Sequence, residues 1–203
     1  GTIAALPERN YNAFEVSLDR RLANSFTFNV NYTYSRLEGN FSGLAQTDEN
    51  GRTSPNVGRS FDLPHVGFTL AGGPDNGLLA TDRPHVVKFS GSYDINWNER
   101  FGFGANNTTV FKLFSSAQSG TPMTSTATIL GIPIPVTKRG DLGRTEMYTS
   151  TDFGISHRYK FGKDNRLEMT GELDILNVFN ENNVLGINTQ VGGTNFDLTD
   201  STY

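Results

Sequence analysis

The stretch Phe26-Thr27-Phe28-Asn29-Val30-Asn31-Tyr32-Thr33-Tyr34-Ser35-Arg36 decides the fold. From Phe26 to Ser35 every even position is apolar or aromatic, and every odd position is a small polar residue. A β-strand points successive side chains to opposite faces, so this alternation predicts a strand with one apolar and one polar face. A helix, with period 3.6, would scatter the same residues around its axis.

The pattern recurs on both sides. Upstream, Tyr11–Leu22 sets Phe14, Val16 and Leu18 against Glu15, Ser17 and Asp19. Downstream, His85–Trp97 puts Val87, Phe89, Tyr93, Ile95 and Trp97 opposite Lys88, Ser90, Ser92, Asp94 and Asn96. A fourth strand is expected from Phe101 to Ser115, with Phe101, Phe103, Ala105, Phe111 and Leu113 in phase. A fifth, Thr151–Phe161, carries Phe153, Ile155, Tyr159 and Phe161 against Asp152, Ser156, Arg158 and Lys160. A sixth, Arg166–Val178, carries Leu167, Met169, Leu173 and Ile175 against Glu168, Thr170, Glu172 and Asp174. A weaker seventh is expected near Val184–Ile187.

The fold class expected is therefore all-β, with barrel-type antiparallel strands in a single β-rich segment, 1–203. Its hairpins, 11–36, 85–115 and 151–178, close through short polar turns at Ala23-Asn24-Ser25, Asn98-Glu99 and Gly162-Lys163-Asp164-Asn165. The loops between hairpins, 37–84 and 116–150, are longer than a compact soluble domain ordinarily leaves without structure. Tight turns on one rim and long loops on the other are the pattern of an outer-membrane barrel, whose strands need about 9–11 residues to cross. The expected apolar face is Phe26, Phe28, Val30, Tyr32, Tyr34, Val87, Phe89, Tyr93, Ile95, Trp97, Phe153, Ile155, Tyr159, Phe161, Leu167, Met169, Leu173 and Ile175. On the polar face, Arg158 and Lys160 are expected to pair across strands with Glu168, Glu172 and Asp174. A soluble sandwich with one wet face would alternate in the same way.

Composition narrows the function. The 203 residues include no Cys, which removes disulfides, thiolate metal sites and Cys nucleophiles. The 17 Lys and Arg against 21 Asp and Glu give a net charge of −4, which disfavours a nucleic-acid partner. No run approaches the roughly 18 apolar residues of a membrane helix. His65, His85 and His157 are not spaced as a metal cluster. Asp48-Glu49-Asn50-Gly51 and Asp75-Asn76-Gly77 resemble fragments of calcium loops but lack the full set of carboxylates, and read as turns. Gly102-Phe103-Gly104 is followed by no helix pattern, so it is no nucleotide fingerprint, and its glycines are expected to relieve crowding in a strand. No nucleophile elbow is present. No catalytic residue, cofactor or metal is expected, and the chain reads as a non-enzyme.

Several motifs carry a resemblance to a known family. Thr81-Asp82-Arg83-Pro84-His85-Val86-Val87-Lys88-Phe89 resembles the opening of a barrel strand in TonB-dependent outer-membrane receptors of the Oar-like group. Arg139-Gly140-Asp141-Leu142-Gly143-Arg144, followed by Asp152, is similar to the same group. So are Asp174-Ile175-Leu176-Asn177-Val178-Phe179-Asn180 and Tyr32-Thr33-Tyr34-Ser35-Arg36 with Gly39-Asn40. The resemblance implies a C-terminal barrel portion, truncated at both ends, of a bacterial outer-membrane receptor that takes up nutrients with an energy-coupling protein and lipid as partners.

Three functions follow as expectations. Fewer strands than the eight of the smallest membrane barrel cannot close, and open edges template other chains. The first expectation is thus a structural fragment that self-associates by cross-β stacking into an extracellular, amyloid-like homopolymer. The second is a wall segment of an intact transporter. The third is a soluble β-sandwich that binds a ligand through its loops.

Overall fold

The computed structural model describes residues 8–40, 67–102, 107–129, 132–184 and 186–191. Six long or medium strands form one antiparallel sheet: β1 (Arg9–Ala23), β2 (Phe26–Gly39), β4 (His85–Asn96), β5 (Asn107–Gln118), β8 (Tyr148–Phe161) and β9 (Leu167–Ile175). Their spatial order, β1-β2-β4-β5-β8-β9, follows the chain, and the two-residue β3 (Gly77–Leu78) pairs with the end of β2. A separate hairpin, β6 (Thr126–Ile129) and β7 (Ile132–Pro135), stands in the connection between β5 and β8.

The short turns lie on one rim and each has its own chemistry. Ala23 pairs with Phe26 across Asn24 (φ 53°) and Ser25 (φ 68°), the two positive φ values that match the twist of a tight hairpin. The β4–β5 turn departs from the expected Asn98-Glu99 reversal. Trp97–Phe101 forms one turn of helix, α1, capped by the Asn96 side chain and closed by Gly102 at φ 67°. Trp97 and Phe101, expected in strands, therefore belong to α1. Gly102 is there for its left-handed backbone, since an added Cβ would meet nothing within 4 Å. Residues 103–106, which include Phe103, Gly104 and Ala105, lie outside the described residues.

Register aligns the faces across the whole sheet. One row runs Ala23, Phe26, Tyr93, Phe111, Ile155, Leu173 and touches all six strands. Another runs Leu18, Val30, Phe89, Ser115. On the opposite face, Thr27, Ser92, Lys112, Gly154 and Asp174 form one row. That polar face is concave. It lines a trough of about 1070 Å³ with side chains from all six strands, including Asp19, Asn29, Ser90, Lys112, Asp152 and Asp174. A flat sheet could not bring six strands to one cavity, so the sheet curves as a segment of barrel wall. It does not close, since β1 and β9 each have one strand neighbour.

The ladders of the described sheet join adjacent antiparallel strands, and cross-β stacking between chains is not shown. The weak seventh strand near Val184–Ile187 is absent among the described residues there, and β9 ends at Ile175 rather than Val178.

The long connections are also more ordered than loops. Leu79, at 0% exposure, donates its amide to the Leu37 carbonyl at 3.2 Å, and Leu37 is buried too, as are Ala127 and Ile134, opposite each other in the β6–β7 hairpin. The small core of the described residues thus sits on the long-loop rim. Asp48-Glu49-Asn50-Gly51 and His65 lie outside the described residues.

Candidate functional site

The two faces of the wall are built for different surroundings. On the convex face, Phe14, Leu18, Tyr34, Leu113, Met169 and Leu173 are among the large apolar side chains left exposed. Such an expanse is far beyond the scattered apolar residues of a soluble surface. Gly91 fits this face because the Phe89 ring leans over it, with Cζ 2.9 Å from the position of an added Cβ.

Seventeen of the expected apolar-face residues lie in strands on this convex face, and Trp97 opens α1 beside it. Tyr32 donates to or accepts from His85 Nδ1 at 2.9 Å, and their rings stack 6.2 Å apart. At the short-turn end, Trp97 Nε1 donates to Thr109 Oγ1 at 2.7 Å, and that hydroxyl meets His157 Nδ1 at 2.8 Å. Each described histidine ring therefore has a hydroxyl partner at its Nδ1. Among the described residues no cluster of three His, Asp or Glu could hold a metal.

The expected charge pairs on the concave face rearrange. Lys160 Nζ lies 3.6 Å from Glu168, directly across β8 and β9. Glu172 instead reaches Lys112 of β5 at 3.2 Å. Its cross-strand neighbour is Ser156, while Arg158 faces Thr170 and Asp174 faces Gly154. Gly154 is the gap in the row: a Cβ there would lie 2.5 Å from Asp174 Oδ1.

The rim holds the most tightly built polar structure. Asp82, 1% exposed, accepts from Leu37 N at 2.6 Å and pairs through its second oxygen with Arg144 Nη2. Arg144 Nη1 also donates to the Asp82 carbonyl at 3.0 Å and to the Gly120 carbonyl at 3.1 Å. Gly120 must be glycine, since a Cβ there would sit 1.8 Å from the Thr145 carbonyl oxygen. A second clamp joins Arg139 to both oxygens of Asp75, at 2.8 and 3.0 Å, with side chains 10% and 7% exposed. Asp75 is thus an ion-pair partner, not a fragment of a calcium loop. Two-point contact of a guanidinium with a carboxylate fixes orientation as well as distance.

Asp141, between these arginines, accepts from Ser125 N at 2.8 Å, from Ser125 Oγ, and from Thr137 Oγ1 at 2.6 Å. Partial burial pushes its carboxyl up, but the hydrogen bonds from Ser125 and Thr137 outweigh this and hold it below its ordinary value. Asn177 (φ 52°) ties off β9: its N donates to Asp152 Oδ1 at 2.8 Å and its side chain brackets the backbone of Glu181.

These contacts bring together motifs far apart in sequence. Asp82 of the Thr81–Phe89 stretch holds Arg144 of the Arg139–Arg144 stretch, and Asn177 holds Asp152. All lie on the long-loop rim.

With this geometry in view, the comparisons with known proteins can be read. Residues 2–133 match the outer membrane beta barrel domain family. The chain belongs to that family. It is also 32% identical over 186 residues to the TonB-dependent transporter Oar of Myxococcus xanthus. That alignment covers 90% of this chain and 16% of the transporter. The chain thus spans about a sixth of the length of the curated relative it matches. No solved structure matches. The family is described as an outer-membrane barrel domain and the relative as a transporter.

Asp82, Asp141, Arg139 and Arg144 were signalled only by motif resemblance, and Asp75 only as part of a turn, because no local pattern announces an ion pair between residues 62 or 64 positions apart.

Proposed function

We propose that this chain is a wall segment of a TonB-dependent transporter in a bacterial outer membrane. The observation that carries this reading is the register: it brings the alternating strands into one apolar convex face and one polar concave face. In a barrel the first meets lipid and the second the lumen. The alternation of short turns and a long, clamped rim supports the same reading, with the short turns periplasmic and the clamped rim extracellular. So does the likeness to a named transporter over nearly the whole chain. Within the complete protein, the partners are membrane lipid, the rest of the barrel beyond β1 and β9, and the energy-coupling protein that the relative's name implies. The function of the whole is energised nutrient uptake.

The filament reading has no observation among the described residues in its favour. The sandwich reading is weakened by the absence of any second sheet covering the convex face among the described residues.

Cysteine scanning of the full-length protein in intact outer membranes tests the reading, because this chain carries no Cys of its own. Cys at Asn29 or Asn31 is expected to react with a small, water-soluble maleimide. Cys at Phe28 or Val30 is expected to stay unlabelled until detergent is added. Equal labelling on both faces would overturn the wall assignment.

A further inference from the structure

The convex face is largely apolar, with charged side chains at both ends: Arg36 and Glu38, paired with each other at 2.7 Å, at the long-loop end, and two arginines at the short-turn end. Register places Arg20 opposite Phe28, in the same set of rows as Phe14, Val16 and Leu18. Its guanidinium stands 5.5 Å from the centre of the Phe26 ring and donates to the Ala23 carbonyl at 3.2 Å. Phe26 lies opposite Tyr93 on the neighbouring strand β4. The Tyr93 hydroxyl in turn accepts from Arg100 Nη1, at 2.5 Å. Arg100 is held there by α1, whose Trp97 and Phe101 rings stack 5.4 Å apart. Two guanidiniums, 80 positions apart in sequence, therefore flank one aromatic pair at the level where the wall leaves the membrane.

Among the described residues neither guanidinium has a carboxylate within ion-pair distance. Each keeps donors in excess of the single acceptor it uses, and a guanidinium has five. A guanidinium with spare donors beside an apolar face can take an anion that approaches from the membrane side. Phosphate esters match its planar fork, and aromatic side chains anchor at the same headgroup level. The rest of this rim adds Lys163 and Arg166 in the β8–β9 turn, against Asp164 and Glu99, although the chain as a whole carries net charge −4.

We propose that Arg20 and Arg100, mounted on Phe26, Tyr93 and Trp97, bind the phosphate of an anionic phospholipid headgroup in the leaflet facing the short turns. The proposal rests on the wall reading above and names a lipid site within it. The two arginines grip the phosphodiester, while the rings pack against the glycerol and upper acyl region. On the opposite rim Arg36, two residues beyond Tyr34 on the same face, is already paired with Glu38 at 2.7 Å. The site is thus specific to one rim.

The test uses the full-length protein, extracted from outer membranes in neutral detergent. Heat-modifiable migration on gels reports that the barrel is folded. Native mass spectrometry during titration with phosphatidylglycerol, and separately with phosphatidylcholine, reports binding. Wild type is expected to retain phosphatidylglycerol in preference. Arg20→Gln and Arg100→Gln are each expected to weaken retention about fivefold, the scale of one basic residue at an anionic membrane surface, and the double variant about 25-fold. Lys88→Gln, the same charge change on the concave face, is expected to leave retention unaltered, as is millimolar inorganic phosphate. Folded double variants that hold phosphatidylglycerol as wild type does would overturn the lipid site and leave the wall reading intact. A wild-type protein that shows no folded barrel and leaves the membrane fraction on alkaline washing would overturn both.

Discussion

The six long strands contain no fully buried large side chain, whereas the rim above them buries Leu79 and Asp82 to 0% and 1% exposure. The wall exposes both faces at β1 and β9, residue after residue. The rim, with less regular structure, closes two ion pairs and a small apolar core upon itself. The difference follows from what each region borrows. A barrel wall takes its apolar surroundings from lipid and its strand partners from the rest of the barrel, so a segment of it looks unfinished. A rim that faces water must supply its own core and satisfy its own backbone. On the wall reading proposed above, order on the rim is intrinsic and order in the wall is conditional on the membrane.

Breaking the rim should give the largest effect. Asp82→Ala leaves Arg144 and the Leu37 amide without their shared acceptor, and loss of one partner of a buried pair costs about 3–5 kcal/mol. Limited proteolysis of the full-length protein should show cleavage within 67–84 and 121–147 while the strands stay protected. Uniform cleavage of wall and rim would mean that the two are not separable.

A charge on the convex face comes next. Val30→Lys is expected to destabilise the membrane-inserted protein by about 2–4 kcal/mol, while Asn31→Lys, one residue on and facing the lumen, should cost about 1 kcal/mol or less. Urea unfolding in lipid vesicles measures both. Equal effects would remove the distinction between faces.

Acid should act on the rim before the wall. The Asp141 carboxyl titrates below its ordinary value of 3.8, so the ionised form is favoured by folding. Its stabilisation is complete above about pH 5, and is lost as pH falls through 3.8 and the lower folded value. Asp141→Asn should flatten that limb of a proteolysis–pH profile at the rim and leave the wall's profile as it is.

The smallest effect belongs to the concave face. Lys160 and Glu168 are 37% and 45% exposed, so solvent screens them and a double-mutant cycle should give about 0.5 kcal/mol or less. A larger coupling would show that this pair is shielded in the closed barrel.

Period-two alternation was legible because it is local: each residue's face depends only on its position along its own strand. The faces of β2, β4, β8 and β9 could be read in that way, and so could the positions of the short turns, where Asn24-Ser25 and Asp164-Asn165 supply the positive φ values. The helical turn at Trp97–Phe101 was not, since five residues are too few to show a period and its caps, Asn96 and Gly102, also suit a plain turn. Neither the pairing of Asp82 with Arg144 nor that of Asp75 with Arg139 could be read, because each depends on where two long connections return to the same rim. Nor could the approach of Arg20 and Arg100 to one aromatic pair, which depends on the register of β1, β2 and β4 together. Sequence alone determined that this chain is a two-faced antiparallel β structure, since side-chain alternation and turn chemistry act over neighbouring residues. Only tertiary structure decided which face is concave and which charges meet, since curvature, register and ion pairing arise between segments brought together by folding.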